Sequence, residues 1–380
     1  MQVELNQYFD ALCLSPPTKV AFIKARRKLK VEFFEDFFSL LAEQFYQTAP
    51  IRRFKGYRLW ACDGSVVKLP DIPDTQTIGT HKNQHSIVAS VKLLCYFDLL
   101  NKLIARLWLK NKRIQEIRLV APYLKEIPND VLSIYDRHYG CQLLVFLHQR
   151  YGSHCLVRMK THSTSHQVKN FLQTASQELV VTENLSENAW RELRKMGIAK
   201  SKYHLITYRL IRVVLSTGEV EVLLTSLLST DFTVADFAWL YGKRWGVETC
   251  FDQLKNLFKA PIFSGYSALA CKQDLWAVAI MFNLQTVLML AAEPLLKERC
   301  KKRKSLYQIN RNVSLESLKR GLKSVFAKGW KSLVETLSFL IHRFLESIER
   351  IVEVEPRPRK PKMSRLNARH QTEFNYKAAI

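Results

Sequence analysis

Apolar residues follow three successive rhythms along this chain of 380 residues. Up to residue 50 they recur at helical spacing: Phe22 and Ile23, then Phe33, Phe34, Phe37, Phe38, Leu40, Leu41 and Phe45. Arg26, Arg27, Lys28 and Lys30 fall between them. A helical N-terminal region with a basic edge is therefore expected over 1–50, the edge suiting either DNA contact or a solvated face. From Tyr57 the rhythm changes. Leu59–Cys62 and Val66–Leu69, parted by Asp63-Gly64, read as strand, turn and strand, because Asp-Gly is a strong hairpin signal. A polar loop over 71–85 precedes two more strands at Ser86–Phe97 and Leu103–Lys110. A short amphipathic helix (Lys112–Glu126), a strand (Val131–Tyr135), a helix (Cys141–Gln149) and a strand (156–160) complete an alternating α/β pattern.

Residues 161–230 break that alternation. Tyr203–Leu215 and Glu219–Leu228, joined at Thr217-Gly218, read as a β-rich insertion. Thr230, Asp231, Thr233 and Asp236 then offer N-terminal caps for a helix. The stretch 261–355 returns to helical spacing at Asp274–Leu290, Leu315–Val325 and Leu333–Val352. Its longest apolar run, Leu275–Ala292, carries Asn283 and Gln285, so a buried helix is expected rather than a membrane span. The tail 356–380 opens with Pro-Arg-Pro-Arg-Lys-Pro-Lys and reads as a basic disordered segment.

Within the helix predicted over Tyr241–Lys255, a rotation of about 100° per residue puts Tyr241, Arg244, Glu248 and Lys255 at about 0°, 300°, 340° and 320°. One face thus carries a phenol, two bases and an acid, beside an apolar stripe of Leu240, Val247, Phe251 and Leu254. Such a face suits the wall of a polar site, and equally a solvated surface with an Arg/Glu pair.

Charge narrows the choice. The chain carries 58 Lys and Arg against 34 Asp and Glu, a net +24 spread over its whole length. The partner this suggests is a polyanion, nucleic acid above all. Eight cysteines show no C-x-x-C pair, which excludes a zinc framework or disulfide scaffold and fits a reducing compartment. The first residues carry no secretory pattern, and a cytoplasmic, nucleoid-associated protein without membrane attachment is expected.

Three acids stand out: Asp63 beside the first strand, Asp136 just past the strand Val131–Tyr135, and Glu248 on the late helix. Turn or cap roles for the two aspartates remain open on local pattern alone. If the strand order makes the first strand and Val131–Tyr135 neighbours at the sheet centre, the three converge. Carboxylates without His or Cys ligands suit Mg²⁺, and two such ions about 4 Å apart can drive phosphoryl transfer.

These residues resemble bacterial DDE transposases, the insertion-sequence group marked by Y-x2-R-x3-E-x6-K. Tyr241, Arg244, Glu248 and Lys255 match that signature at every spacing. Asp63 in Asp-Gly-Ser and Asp136 in Tyr-Asp-Arg-His-Tyr-Gly match its two upstream acidic motifs. Leu223–Leu227 is similar to the strand before the signature helix. The resemblance covers 55–350 and implies an α/β (α+β) protein: an RNase H-like catalytic domain over 55–160 and 231–260, the insertion at 161–230, and helical flanks at 1–50 and 261–355. It further implies Asp63, Asp136 and Glu248 as catalytic metal ligands for two Mg²⁺ ions, with Mn²⁺ the expected substitute. Tyr241, Arg244 and Lys255 are implied as DNA contacts, and Arg137 is expected beside them as a further basic DNA-binding residue that the pattern itself does not assign. The implied reaction is cut-and-paste transposition on double-stranded DNA, at terminal inverted repeats and a target, by a homodimer in the synaptic complex. Two features depart from the pattern: Arg137 and His138 follow Asp136 without an assigned role, and the insertion's one Trp, Trp190, lies in a helix-like stretch that suits a core. The competing readings are a non-catalytic DNA-binding relative and an RNase H-like nuclease that cuts without joining.

Overall fold

A single strand of eleven residues, β1 (Arg58–Lys68), runs through the middle of the largest sheet. The structure is a computed structural model describing residues 2–10, 12–82, 87–111, 114–161, 165–200, 205–215, 217–328 and 333–351. The basic tail therefore lies outside the described residues. Asp63-Gly64 is not a turn: β1 passes straight through it, paired with β3 (Ile87–Asp98) from Trp60 to Lys68. The long ladder overrides the local hairpin signal, since pairing with β3 along residues 60–68 satisfies the backbone groups that a turn would leave to solvent. The polar loop before β3 holds a helical turn, Pro73–Gln76, and a short strand β2 (Thr80–Lys82).

β3 pairs antiparallel with both β1 and β4 (Ile104–Lys110). On its other side β1 pairs in parallel with β5 (Val131–Tyr135), and β5 in parallel with β6 (His154–Met159). An antiparallel meander followed by two parallel strands, with the first strand central, is the RNase H-like order. The strands of the segment expected as an insertion, β7 (Glu178–Asn184), β8 (Leu205–Val214) and β9 (Val220–Thr225), extend the same sheet through β9 against β6. Among the described residues, β1 to β9 form one sheet, and Tyr307–Ile309 pairs separately with Ile348–Arg350.

Side chains alternate across it. Trp60, Cys62, Leu94, Tyr96 and Tyr135 point to one face, under the helices Gln142–Arg150 and Glu187–Lys195. Trp190 belongs to that core, 3% exposed and 6.1 Å from the Phe146 ring. Phe97 and Leu99 belong to the opposite face, where Gly246 lets the helix Trp245–Asp252 lie directly on Leu99.

The chain divides into two units, residues 46–253 with the sheet and residues 1–45 with 254–380. In the second unit the helix Ala268–Cys300 is the longest element. It alone among the described residues is long and apolar enough to cross a membrane. Gln285 is fully buried on it and donates to Arg311 O and Ser314 Oγ, both at 2.7 Å. Leu288, Ala292 and Leu296 pack with Leu318, Leu340 and Phe344 of the later helices Arg311–Lys328 and Leu333–Glu346. From the N-terminal region, Phe38 packs 5.3 Å from Trp276, whereas Phe33, Phe37 and Leu40 stay exposed.

Candidate active site

The parallel pairing of β1 and β5 sets the first two acids side by side. Cys62 is opposite Tyr135, so Asp63 on β1 and Asp136, the first residue past β5, follow that pair directly. Such strands run about 4.8 Å apart. Both aspartates fall on the sheet face opposite Cys62 and Tyr135, beneath the late helix. Asp63 Oδ1 accepts the Gly64 N–H at 2.8 Å. Burial, helped by the charges of Glu116 and Glu248, still pushes its carboxyl up to about 6 against that bond and Arg244. Asp136 goes the other way. Burial would raise it, but the His138 Nδ1 bond at 2.8 Å, the Arg137 N–H and the Arg244 charge hold it below the usual carboxylate range.

Asp130, six residues earlier, is engaged otherwise. It is bound by Arg58 and Arg53, which hold its proton affinity low against the pull of burial, so it serves to tie the start of β1 to the start of β5.

Thr233 begins the late helix with a reciprocal capping box to Asp236. The helix is not the single rod expected from sequence. It runs over Val234–Lys243, tightens at Arg244, where Val247 N–H reaches Arg244 O, and resumes over Trp245–Asp252. The pair on its inner face nonetheless forms: Arg244 Nη2 donates to Glu248 Oε1 at 2.7 Å. Arg244 Nη1 lies 3.8 Å from Asp63 Oδ2, and the guanidinium charge is felt at Asp136. One buried arginine therefore touches or faces all three acids. Burial opposes its charge, but Glu248, Tyr241 and Asp136 outweigh that and raise its proton affinity. Its guanidinium lies 5.3 Å from the Trp245 ring and 6.0 Å from the Tyr241 ring. Burial pushes the Tyr241 phenol up to about 12, with Asp136 and Glu221 adding and Arg244 and Arg158 opposing.

Arg137 is exposed, and its backbone N–H, rather than its side chain, engages Asp136. Lys255 lies in a π-helical turn, Gln253–Leu257, past the division between the units, and burial lowers its proton affinity.

Two groups of charged residues, Lys92 with Glu116 and Arg158 with Glu219 and Glu221, were not singled out from sequence. Glu116 Oε1 accepts from Lys92 Nζ at 3.1 Å, in the space that a side chain at residue 64 would take. Arg158 pairs with Glu221 at 2.7 Å and with Glu219 at 3.2 Å, and Glu221 faces Tyr241 and Arg244. Lys92 within the buried run Ser90–Phe97 was the available signal, because a charge inside an apolar strand requires a partner.

As donors, Asp63, Asp136 and Glu248 suit a hard divalent cation: all are carboxylates, and a cation beside Asp63 would offset the burial that raises it, to which Glu116 and Glu248 add. Among the described residues no three His, Cys, Asp or Glu side chains stand at ligating distance from one point. The positive charge at the centre of the cluster is the Arg244 guanidinium.

Comparison with known proteins places these residues in context. Residues 55–284 match the family model described as Transposase DDE domain. Transposase InsG for insertion sequence element IS4, from Escherichia coli (strain K12), is 22% identical over 272 residues, covering 70% of this chain and 59% of its own length. The chain thus spans less than two thirds of that relative. Among solved structures, the piggyBac transposase synaptic complex with hairpin DNA aligns at a TM-score of 0.42 and 11% identity, over 74% of this chain and 57% of its own.

Proposed function

Since the chain belongs to the transposase DDE domain family, we propose that it is a bacterial DNA transposase that cuts at the ends of its element and joins them to a target. The substrate is double-stranded DNA, at terminal inverted repeats and at the target, and the working form is a homodimer within the bacterial cytoplasm. The observation that carries this reading is the Arg244 guanidinium, bonded to Glu248, 3.8 Å from Asp63 and facing Asp136.

Asp63, Asp136 and Glu248 would hold two Mg²⁺ ions, with Mn²⁺ able to replace them. Those ions supply Lewis acidity at the attacking and leaving oxygens. The protein's own groups do the rest. Arg244 keeps three like charges at close quarters and orients Glu248 towards the aspartates. Tyr241 stands beside it as a donor for a phosphate oxygen. Arg137, exposed next to Asp136, and Lys255 take neighbouring phosphates as cationic contacts.

The test is a supercoiled plasmid carrying two element ends, incubated with the protein, Mg²⁺ and a target. Cuts at the ends and joined products are expected, and Asp63→Asn is expected to abolish both while keeping DNA affinity. Cutting by Asp63→Asn would reject the assignment of the acids. Cuts without joined products would identify a nuclease, and binding without cuts a non-catalytic relative.

A further inference from the structure

In the second unit, a cavity of about 310 Å³ opens between the helix Lys19–Arg26 and the first turns of Ala268–Cys300. Arg26 builds it. Its guanidinium bonds Gln273 at 2.7 Å, Ala270 O at 3.1 Å, Asp274 at 3.0 Å and Ser264 Oγ, fixing one helix to the other. With Arg26 fully engaged, two other cations line the space: Lys19 and Arg27. Neither side chain has an ion pair or hydrogen bond among the described residues. No lining residue is acidic, and Ile23, Leu269 and Tyr266 make much of the wall apolar.

Two unpaired cations beside an apolar wall call for an anion attached to a less polar body. The volume lies at the small end of ligand sites and holds about one nucleotide. Lys24, Lys28 and Lys30, all exposed, continue the positive charge beyond the cavity along the same helix and its exit. That continuation favours a charged polymer over an isolated anion.

We propose that this cavity seats one phosphate of a DNA strand, with Lys19 and Arg27 as its cationic contacts and the Ile23 and Leu269 side chains against the attached sugar. The proposal rests on DNA being the substrate, and it adds a DNA contact in the unit that lacks the acids.

The experiment measures binding of a duplex element end by fluorescence anisotropy from 100 to 300 mM KCl. The full chain is compared with Lys19→Gln/Arg27→Gln and with Ile23→Phe, which narrows the cavity and keeps every charge. Removing one phosphate from the protein's grip should lower the slope of log affinity against log salt by about one and weaken binding about tenfold. Ile23→Phe should weaken binding similarly, with the slope change of the double variant. Full affinity in Ile23→Phe would show that the cations act as open surface and would overturn the cavity as the seat, as would an unchanged slope in the double variant. The double variant alters only exposed charge, so it reports even if Ile23→Phe does not fold. A dAMP arm distinguishes the source: saturation by dAMP at micromolar concentration assigns the cavity to a free nucleotide and overturns the proposal. If the unaltered chain binds no DNA, the reading of the substrate fails instead.

Discussion

A methyl group at residue 64 would meet Glu116 Oε1 at 2.7 Å and the Lys92 stem at 3.2 Å. Gly64 is thus small because a charged pair occupies the space beneath it, and Asp63 shares its backbone. Glu116 could swing away, but only by leaving Lys92, which is 7% exposed and needs its partner. Gly64→Ala should therefore destabilise the protein by about 1–3 kcal/mol in urea unfolding. In a double-mutant cycle, Glu116→Ala should cost less when combined with Gly64→Ala than alone. Strict additivity would show that the two residues do not compete for that space. That Asp63, Asp136 and Glu248 would come near one another was legible from their motifs, and Arg244 faces all three, although Asp63 lies in the middle of β1 rather than at a strand end. Lys92 and Glu116 are 24 residues apart, and nothing but the fold introduces them to each other.

At the scale of elements, Arg244 and Glu248 pair across one turn of a helix that does not continue unbroken to Lys255. A uniform rotation of 100° per residue is sound across one turn and accumulates error across three, once a tight turn at Arg244 and a π-helical turn at Gln253 intervene. The run Val131–Tyr135 was legible as a strand because continuous apolar residues mark a strand buried on both faces. Asp63-Gly64 was misread because a dipeptide signal says nothing about the partner strand that overrides it. The interrupted helix also carries a prediction. Arg244→Lys keeps one charge but cannot span Glu248 and Asp63 together, so DNA cleavage should fall at least about tenfold, and further than for Lys255→Ala. Full cleavage by Arg244→Lys would reduce Arg244 to a helix-surface ion pair worth about 0.5 kcal/mol.

Across the whole molecule, stability should turn on a histidine far from solvent. His148 is fully buried between Tyr135 OH at 2.8 Å and Ser153 Oγ at 2.7 Å, and burial lowers its pKa to about 3, with His154 adding. The unfolded chain takes up this proton near pH 6.5 and the folded one does not. Stability is therefore complete above about pH 6.5 and drains away by up to about 1.4 kcal/mol per pH unit as pH falls towards 3. Between pH 6.5 and 5 this group should remove about 2 kcal/mol in urea titrations, and His148→Gln should lose that much less over the same interval. Equal acid sensitivity in the variant would point to the carboxylates instead. The layout of the chain was partly legible, since helices at both ends and strands between follow from periodicity alone. That the first 45 residues pack with those after 253 was not, because pairs such as Phe38 with Trp276 and Arg26 with Asp274 bridge more than half the chain. On the ribosome this order is a schedule. The sheet's strands all emerge before residue 226, so that unit can close while the rest is still being made. Arg26 and Phe38 must wait for over 200 residues more, roughly 10–50 s at ordinary speeds of synthesis. Through that interval the phenylalanines of the first long helix are open to chaperones, and the part of the protein born first is finished last.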